Sequence, residues 1–252
     1  MAELSTPIPA ATLILMRPAA DGGPPEILML ERTRTMAFAA GALVFPGGRI
    51  DPEDVEAAAA LAPGIEDSAA RIAAIRETIE ESGIAPCLSP APDPATSAAL
   101  RQGLAAGETL PALLAAFGLV LDLDALVPFA RWCPSFAETR RFDTHFYIAE
   151  APAGAEPSIH APEADRIFWA SAEAVLADVA AGRAHAIFPT RRNLERLARF
   201  ASLDEARAQA LRLPVRRIVP HIETRDGRDW LCIPEDAGYP VTAEPLDEAR
   251  RR

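Results

Sequence analysis

The chain has 252 residues, half of them hydrophobic, and a formal net charge of −11. That size suits one well-buried domain with embellishments, and an acidic chain in which no basic patch stands out argues against a nucleic-acid partner. No apolar stretch approaches membrane-spanning length, residues 1–11 lack the basic-then-apolar order of a secretory signal, and Cys87, Cys133 and Cys232 are scattered without CxxC spacing, so neither a zinc site nor a disulfide framework is expected and the cytoplasm is the expected compartment.

Residues 11–17 and 26–31 read as two strands, joined by the turn Asp21-Gly22-Gly23-Pro24-Pro25 into a hairpin. A compact apolar run over 42–45 predicts the next strand, and Pro46 with Gly47 and Gly48 predicts a sharp turn there that lets backbone approach a ligand. Residues 55–61 form an Ala-rich helical piece. Asp67 and Ser68 suit an N-cap for a helix over 69–82, closed by Gly83. Residues 95–117 are helical in pattern, broken by Gly103, Gly107 and Pro111: either a two-helix cap over the substrate side or structural padding. Strands are expected over 129–133, 141–150 and 167–170. Ser171 caps a helix over 172–181 and Thr190 one over 191–201, followed by a helix over 203–211. The tail, 215–241, suggests a hairpin turning at Asp226-Gly227. The expected architecture is α/β: one mixed domain over about 8–240, with a curved mixed sheet between helices.

The 69–82 helix carries the most informative pattern. Ile72, Ile75 and Ile79 make a stripe suited to a core, while Glu77, Glu80 and Glu81 fall within an arc of about 100° on the other side. Like charges at this spacing repel. A solvated acidic face is one explanation; a divalent cation held by hard carboxylate oxygens is the other. A strand, a Gly-Gly loop and an acidic helix in succession favour the second.

At Gly48 and at Arg76-Glu77-Thr78-Ile79-Glu80-Glu81-Ser82-Gly83-Ile84 the chain resembles the Nudix hydrolases. Their box reads G-x5-E-x7-R-E-U-x-E-E-x-G-U, with U apolar. The second half is complete apart from Thr78 at the first U. The first half is stretched, which implies an insertion over about 51–67; counting back from Arg76 puts the box's first Glu at Ser68, beside Glu66 and Asp67. The chain is similar in this to the peroxisomal-type coenzyme A diphosphatases. Their signature L-L-T-x-R-[SA]-x3-R-x3-G-x3-F-P-G-G matches at Arg32, Gly41, Phe45, Pro46, Gly47 and Gly48, and departs at Leu30, Thr33 and Ala37, the last standing where the second Arg belongs. The segments Trp132 to Ser135 and Arg140 to Tyr147 also resemble that branch.

The resemblance implies a Nudix fold with helical embellishment (about 95–125) and hydrolysis of a nucleoside diphosphate derivative. Coenzyme A or an acyl-coenzyme A leads, and ADP-ribose, NADH or a catalytically silent ligand-sensing domain are the alternatives. It implies Mg²⁺ or Mn²⁺ held by Glu77, Glu80, Glu81 and the Gly47 carbonyl, with Arg76 orienting a glutamate by a charge-assisted fork. The general base would be Glu77 released from the cation or the loop acid Glu163. Arg32, Arg140 and Arg141 are the candidate phosphate binders, offsetting the chain's own negative field. The expected partner is a small nucleotide substrate, with no nucleic acid and no membrane, and a homodimer is left open.

Overall fold

The computed structural model describes residues 5–34, 39–134, 141–159 and 164–249. In chain order the elements are β1 (Ile8–Arg17), β2 (Glu26–Arg32), β3 (Leu43–Val44), β4 (Gly47–Arg49), α1 (Pro52–Leu61), α2 (Ser68–Ser82), β5 (Leu88–Ser89), α3 (Pro94–Ala105), α4 (Leu110–Phe117), β6 (Val120–Leu121), β7 (Val127–Trp132), β8 (Phe142–Glu150), β9 (Ala164–Ser171), α5 (Ala172–Ala180), α6 (Phe188–Leu197), α7 (Leu203–Arg212), β10 (Arg217–Ile218), β11 (His221–Arg225), β12 (Arg228–Cys232), β13 (Ala243–Pro245) and α8 (Leu246–Ala249).

An eight-stranded mixed sheet runs β10-β7-β8-β1-β2-β3, with β4 added to β1 and β9 to β2. On one side β1 pairs in parallel with β8 from Ile8↔Phe142 to Met16↔Glu150. On its other side β1 divides. Ala10, Ala11 and Thr12 pair with Arg49, Gly48 and Gly47 of β4, while Met16 and Arg17 pair with Ile27 and Glu26 of β2. The sheet therefore forks along β1.

Alternation along β1 sends its residues to two cores, as the strand period requires. Ala11, Leu13 and Leu15 join Leu28, Tyr147 and the α2 stripe Ile72, Ile75 and Ile79. Ile14 and Met16 join Ile27, Met29, Phe129 and Ile148 with Val175 of α5 and Leu194 and Leu197 of α6. The expected curved mixed sheet between helices is thus what forms. α3 and α4 extend the α2 side, contributing Leu100, Leu110, Leu113 and Leu114 to that core, and the β5–β6 pair closes them at their base.

Several local expectations differ from the outcome. The Gly pair after Pro46 is not a turn but the start of β4, extended against β1. α1 begins at Pro52 rather than 55. Asp67 occupies the N-cap position of α2 in a left-handed conformation (φ 55°) and makes no capping hydrogen bond; its carboxylate faces His145 Nδ1 at 3.6 Å instead. α6 starts at Phe188, two residues ahead of Thr190, because Pro189 fits a helix's first turn, where no N–H is needed. The tail hairpin turns at Asp226 and Gly227, both at positive φ (49° and 77°), the geometry a two-residue type I′ turn demands, and β13 adds a third strand.

Candidate active site

The fork in the sheet brings the glycine pair beside the acidic helix. A β-carbon on Gly47 would lie 2.5 Å from the Ala11 carbonyl oxygen and 2.7 Å from Thr12 Cα, and one on Gly48 would lie 2.3 Å from Glu77 Oε1. Only glycine lets this strand run so close to both neighbours. The Gly47 N–H in turn donates to Glu81 Oε2 at 2.9 Å.

α2 presents its face as its sequence predicts. The isoleucine stripe is wholly buried, and Glu77, Glu80 and Glu81 border a common cavity. Thr78, in the box's apolar slot, is also fully buried; its hydroxyl donates to the Ala74 carbonyl one turn back at 2.7 Å, so burial leaves no donor unpaired. Each carboxylate is anchored, two of them by one guanidinium. Arg76 Nη1 donates to Glu77 Oε1 at 2.9 Å and to Glu80 Oε2 at 3.2 Å, and Glu81 takes the Gly47 N–H.

What holds Arg76 is a residue that sequence reasoning missed. Asp54, on α1 and 2 % exposed, accepts from Arg76 Nε at 3.0 Å and Nη2 at 2.9 Å. Its Oδ2 also accepts the Asp51 N–H at 2.9 Å. Arg76 Nη2 completes the clasp on the Arg49 carbonyl at 3.1 Å. Asp54 is the sixth residue after Gly48, the distance at which the box's first Glu is expected. Ser68, reached by counting back from Arg76, is instead the first residue of α2. Counting forward from Gly48 was the signal. Asp54→Asn should therefore lower turnover about 10–100-fold, as losses of orienting partners around metal ligands do. Ser68→Ala should leave it unchanged; steady-state rates of the two variants check this.

Electrostatics follow from this burial. Desolvation pushes the Glu77 carboxyl up to about 7, against the pull of Arg76 and with help from Glu80. Glu80 is raised too, again chiefly by burial. Burial works against the Arg76 charge, but the Asp54 hydrogen bond and the Glu77, Asp54 and Glu80 charges outweigh it and raise its pKa. A partly buried carboxyl that resists ionisation is what a bound cation would relieve. The donors are hard oxygens, the type Mg²⁺ and Mn²⁺ take, so the residues present fit a divalent ion.

Other titratable groups gather elsewhere. Among the described residues, ligand atoms of His221, Glu223 and Cys232 lie within 4.8 Å of one another. There Arg225 already donates to Glu223 at 2.8 Å and lies 3.4 Å from Cys232 Sγ, so a fixed guanidinium supplies the positive charge.

The cavity beneath the fork has a volume of about 670 Å³, within the range of small-molecule sites. Arg32, Phe45, Gly47 and Gly48 border it, so matched positions of the β2–β4 signature converge on one space. Among the described residues Arg32 Nε is buried without a hydrogen-bond partner. Arg141 also borders the cavity, but its Nε donates to the Pro134 carbonyl and its Nη1 to the Ser5 carbonyl, both at 2.9 Å. Trp132 shows an edge to the cavity yet is core: 1 % exposed, with Nε1 donating to the Tyr239 hydroxyl at 3.0 Å. His145 lies on the opposite face of β8 from Thr144 and Phe146, toward Asp67. Arg140, Glu163 and Ala37 lie outside the described residues.

Fold and site together define an α/β protein with a carboxylate cluster and a glycine strand at one cavity. No family model and no curated protein matches the chain. Among solved structures it is similar to the NUDIX hydrolase from Alicyclobacillus acidocaldarius, at 30% identity over 82% of this chain and 97% of that one, with a TM-score of 0.70. More distant are the MutT protein from Methanosarcina mazei Go1 (18% identity, 78% and 97% covered, TM-score 0.43) and the NUDIX domain of Shewanella oneidensis NrtR complexed with ADP ribose (14% identity, 78% and 88% covered, TM-score 0.44). The chain belongs to the Nudix hydrolases. It is accordingly a hydrolase of phosphorus-containing acid anhydrides, in a family whose members generally use divalent metal ions. No helix among the described residues is long and apolar enough to cross a membrane.

Proposed function

We propose that residues 8–240 act as one Nudix unit, a Mg²⁺- or Mn²⁺-dependent diphosphohydrolase of nucleoside diphosphate derivatives. Its leading substrate on this reading is coenzyme A or an acyl-coenzyme A, cleaved to 3′,5′-ADP and (acyl-)phosphopantetheine. The observation that carries the reading is the meeting of Glu77, Glu80 and Glu81 with the Gly47-Gly48 strand in one cavity. Arg32 in that cavity, with a buried Nε that lacks a partner among the described residues, supports a phosphorylated ligand.

The glutamates and the Gly47 carbonyl would hold the cation, which lowers the pKa of attacking water and neutralises charge on the leaving phosphate. Arg76, clasped by Asp54, keeps Glu77 and Glu80 oriented. Arg32 takes a substrate phosphate. Arg141, the other described candidate for a substrate phosphate, has Nε and Nη1 on carbonyl oxygens and Nη2 3.9 Å from Cys133 Sγ, which also ties it to the start of β8. The water's proton goes to a carboxylate, with Glu77 and Glu163 the two candidates.

A substrate panel with Mg²⁺ and with Mn²⁺ tests this: coenzyme A, acetyl-coenzyme A, ADP-ribose, NADH and a dinucleoside polyphosphate. Coenzyme A or its acyl form should lead in kcat/KM by about tenfold, roughly 1.4 kcal/mol of transition-state preference. A lead for ADP-ribose or NADH would move the substrate assignment while keeping the chemistry. No hydrolysis of any of them would favour a ligand-sensing domain.

A further inference from the structure

α3 lies outside the elements that carry the glutamates, yet one of its side chains reaches the end of α2. Arg101 is 8 % exposed. Its Nε donates to the Glu80 carbonyl at 3.1 Å, its Nη1 to Ser158 Oγ at 2.8 Å and its Nη2 to the Ser158 carbonyl at 2.9 Å. The Ser158 N–H closes the circuit on the Ser82 carbonyl at 2.9 Å. The last four carbonyls of any helix lack intrahelical donors. Here Ile79's is met by Gly83 N–H, Ser82's by Ser158 and Glu80's by Arg101.

The charge argument points the same way. A helix C-terminus is the negative end of the dipole and favours cations. α2 has no basic residue in its last turn, and Glu80 and Glu81 stand there against the dipole. Arg101 supplies from α3 the positive charge that α2 lacks. Gly83 makes room for it: a β-carbon there would lie 2.8 Å from Arg101 Nη1 and 3.0 Å from Ser158 Oγ. Arg101 and Leu104 of α3, with Ile159 from the pinned segment, also border the catalytic cavity.

We propose that Arg101 is a positioning residue for cation binding: it fixes the last turn of α2, and so the placement of Glu80 and Glu81, and pins Ser158 and Ile159 at the cavity's edge. This rests on the reading of those glutamates as metal ligands. It makes α3 a working part of the site rather than padding.

Mn²⁺ alone is the probe, titrated into the full-length protein with free ion read by electron paramagnetic resonance, so no substrate is required. Glu81→Gln is the reference. If it binds Mn²⁺ as the parent does, the ligand reading itself fails. With that reference weakened, Arg101→Met should bind Mn²⁺ about 10–100-fold more weakly, the scale of losing an orienting partner. Arg101→Lys, which keeps the charge but cannot span three acceptors, should fall between. A folded Arg101→Met with a lowered Tm but parental Mn²⁺ affinity would overturn the proposal, leaving a purely structural contact. If Arg101→Met does not fold, Ser158→Ala carries the test through the lost Oγ acceptor: a several-fold weaker Mn²⁺ affinity supports the proposal, and an unchanged one overturns it.

Discussion

Glu80→Gln and Glu81→Gln should each reduce metal-dependent turnover by about 10²–10³-fold, the scale of removing one group that stabilises developing charge. The change keeps the side chain's shape and one oxygen, so the Gly47 N–H that bonds Glu81 Oε2 at 2.9 Å retains an acceptor. The fold is therefore expected to survive. Thermal unfolding of the metal-free variants checks this directly, and it should stay close to the parent: losing one charge relieves repulsion among the three glutamates, which offsets, at Glu80, a weaker contact with Arg76 at 3.2 Å. Turnover against Mn²⁺ concentration then separates weakened binding from a slower step. Full activity in both variants would remove the ligand assignment and the proposed function with it.

The second large effect concerns stability. Glu244→Ala should cost about 3–5 kcal/mol, the usual result of stripping one partner from a buried ion pair. Arg191 and Arg192 of α6 are 4 % and 2 % exposed. Glu244 of β13 pairs with both, lying 3.0 Å from Arg192 Nη2. Its loss leaves Arg191 without that partner and Arg192 with Glu195 at 2.9 Å. The urea midpoint should fall at unchanged m-value. The sign depends on which atoms go. Replacing Arg191, Arg192, Glu195 and Glu244 together by apolar residues of like volume removes the desolvated charges as a set, and is expected to be far milder than removing one. The change should also disturb the cavity beside the glutamates, because Ile187, Pro189 and Thr190 at the start of α6 border it.

Those arginines show where sequence reading ran short. In the sequence Arg191-Arg192 is only a short basic run, and nothing local marks it as buried; their partner lies 53 and 52 residues away. Asp54 was hidden in a similar way. Counting has two anchors, Gly48 and Arg76, which point to different residues, and only the contact across 22 residues shows which of those residues meets Arg76. Arg101's bond to the Glu80 carbonyl spans 21 residues and leaves no periodic trace. The α2 helix, by contrast, was legible because its pattern is local: the 3.6-residue period places three isoleucines inside and three glutamates outside without reference to any other segment. The glycine pair was legible as a close approach. Its shape was not, since whether such a pair turns or runs straight depends on the strand it meets.

The division of pairing along β1 sets a boundary between what can vary and what cannot. Main-chain bonds to β4 on one half and β2 on the other fix the backbone beside the cavity, whatever side chains line it. Substitutions along the walls should then change what the cavity holds while that frame stays put.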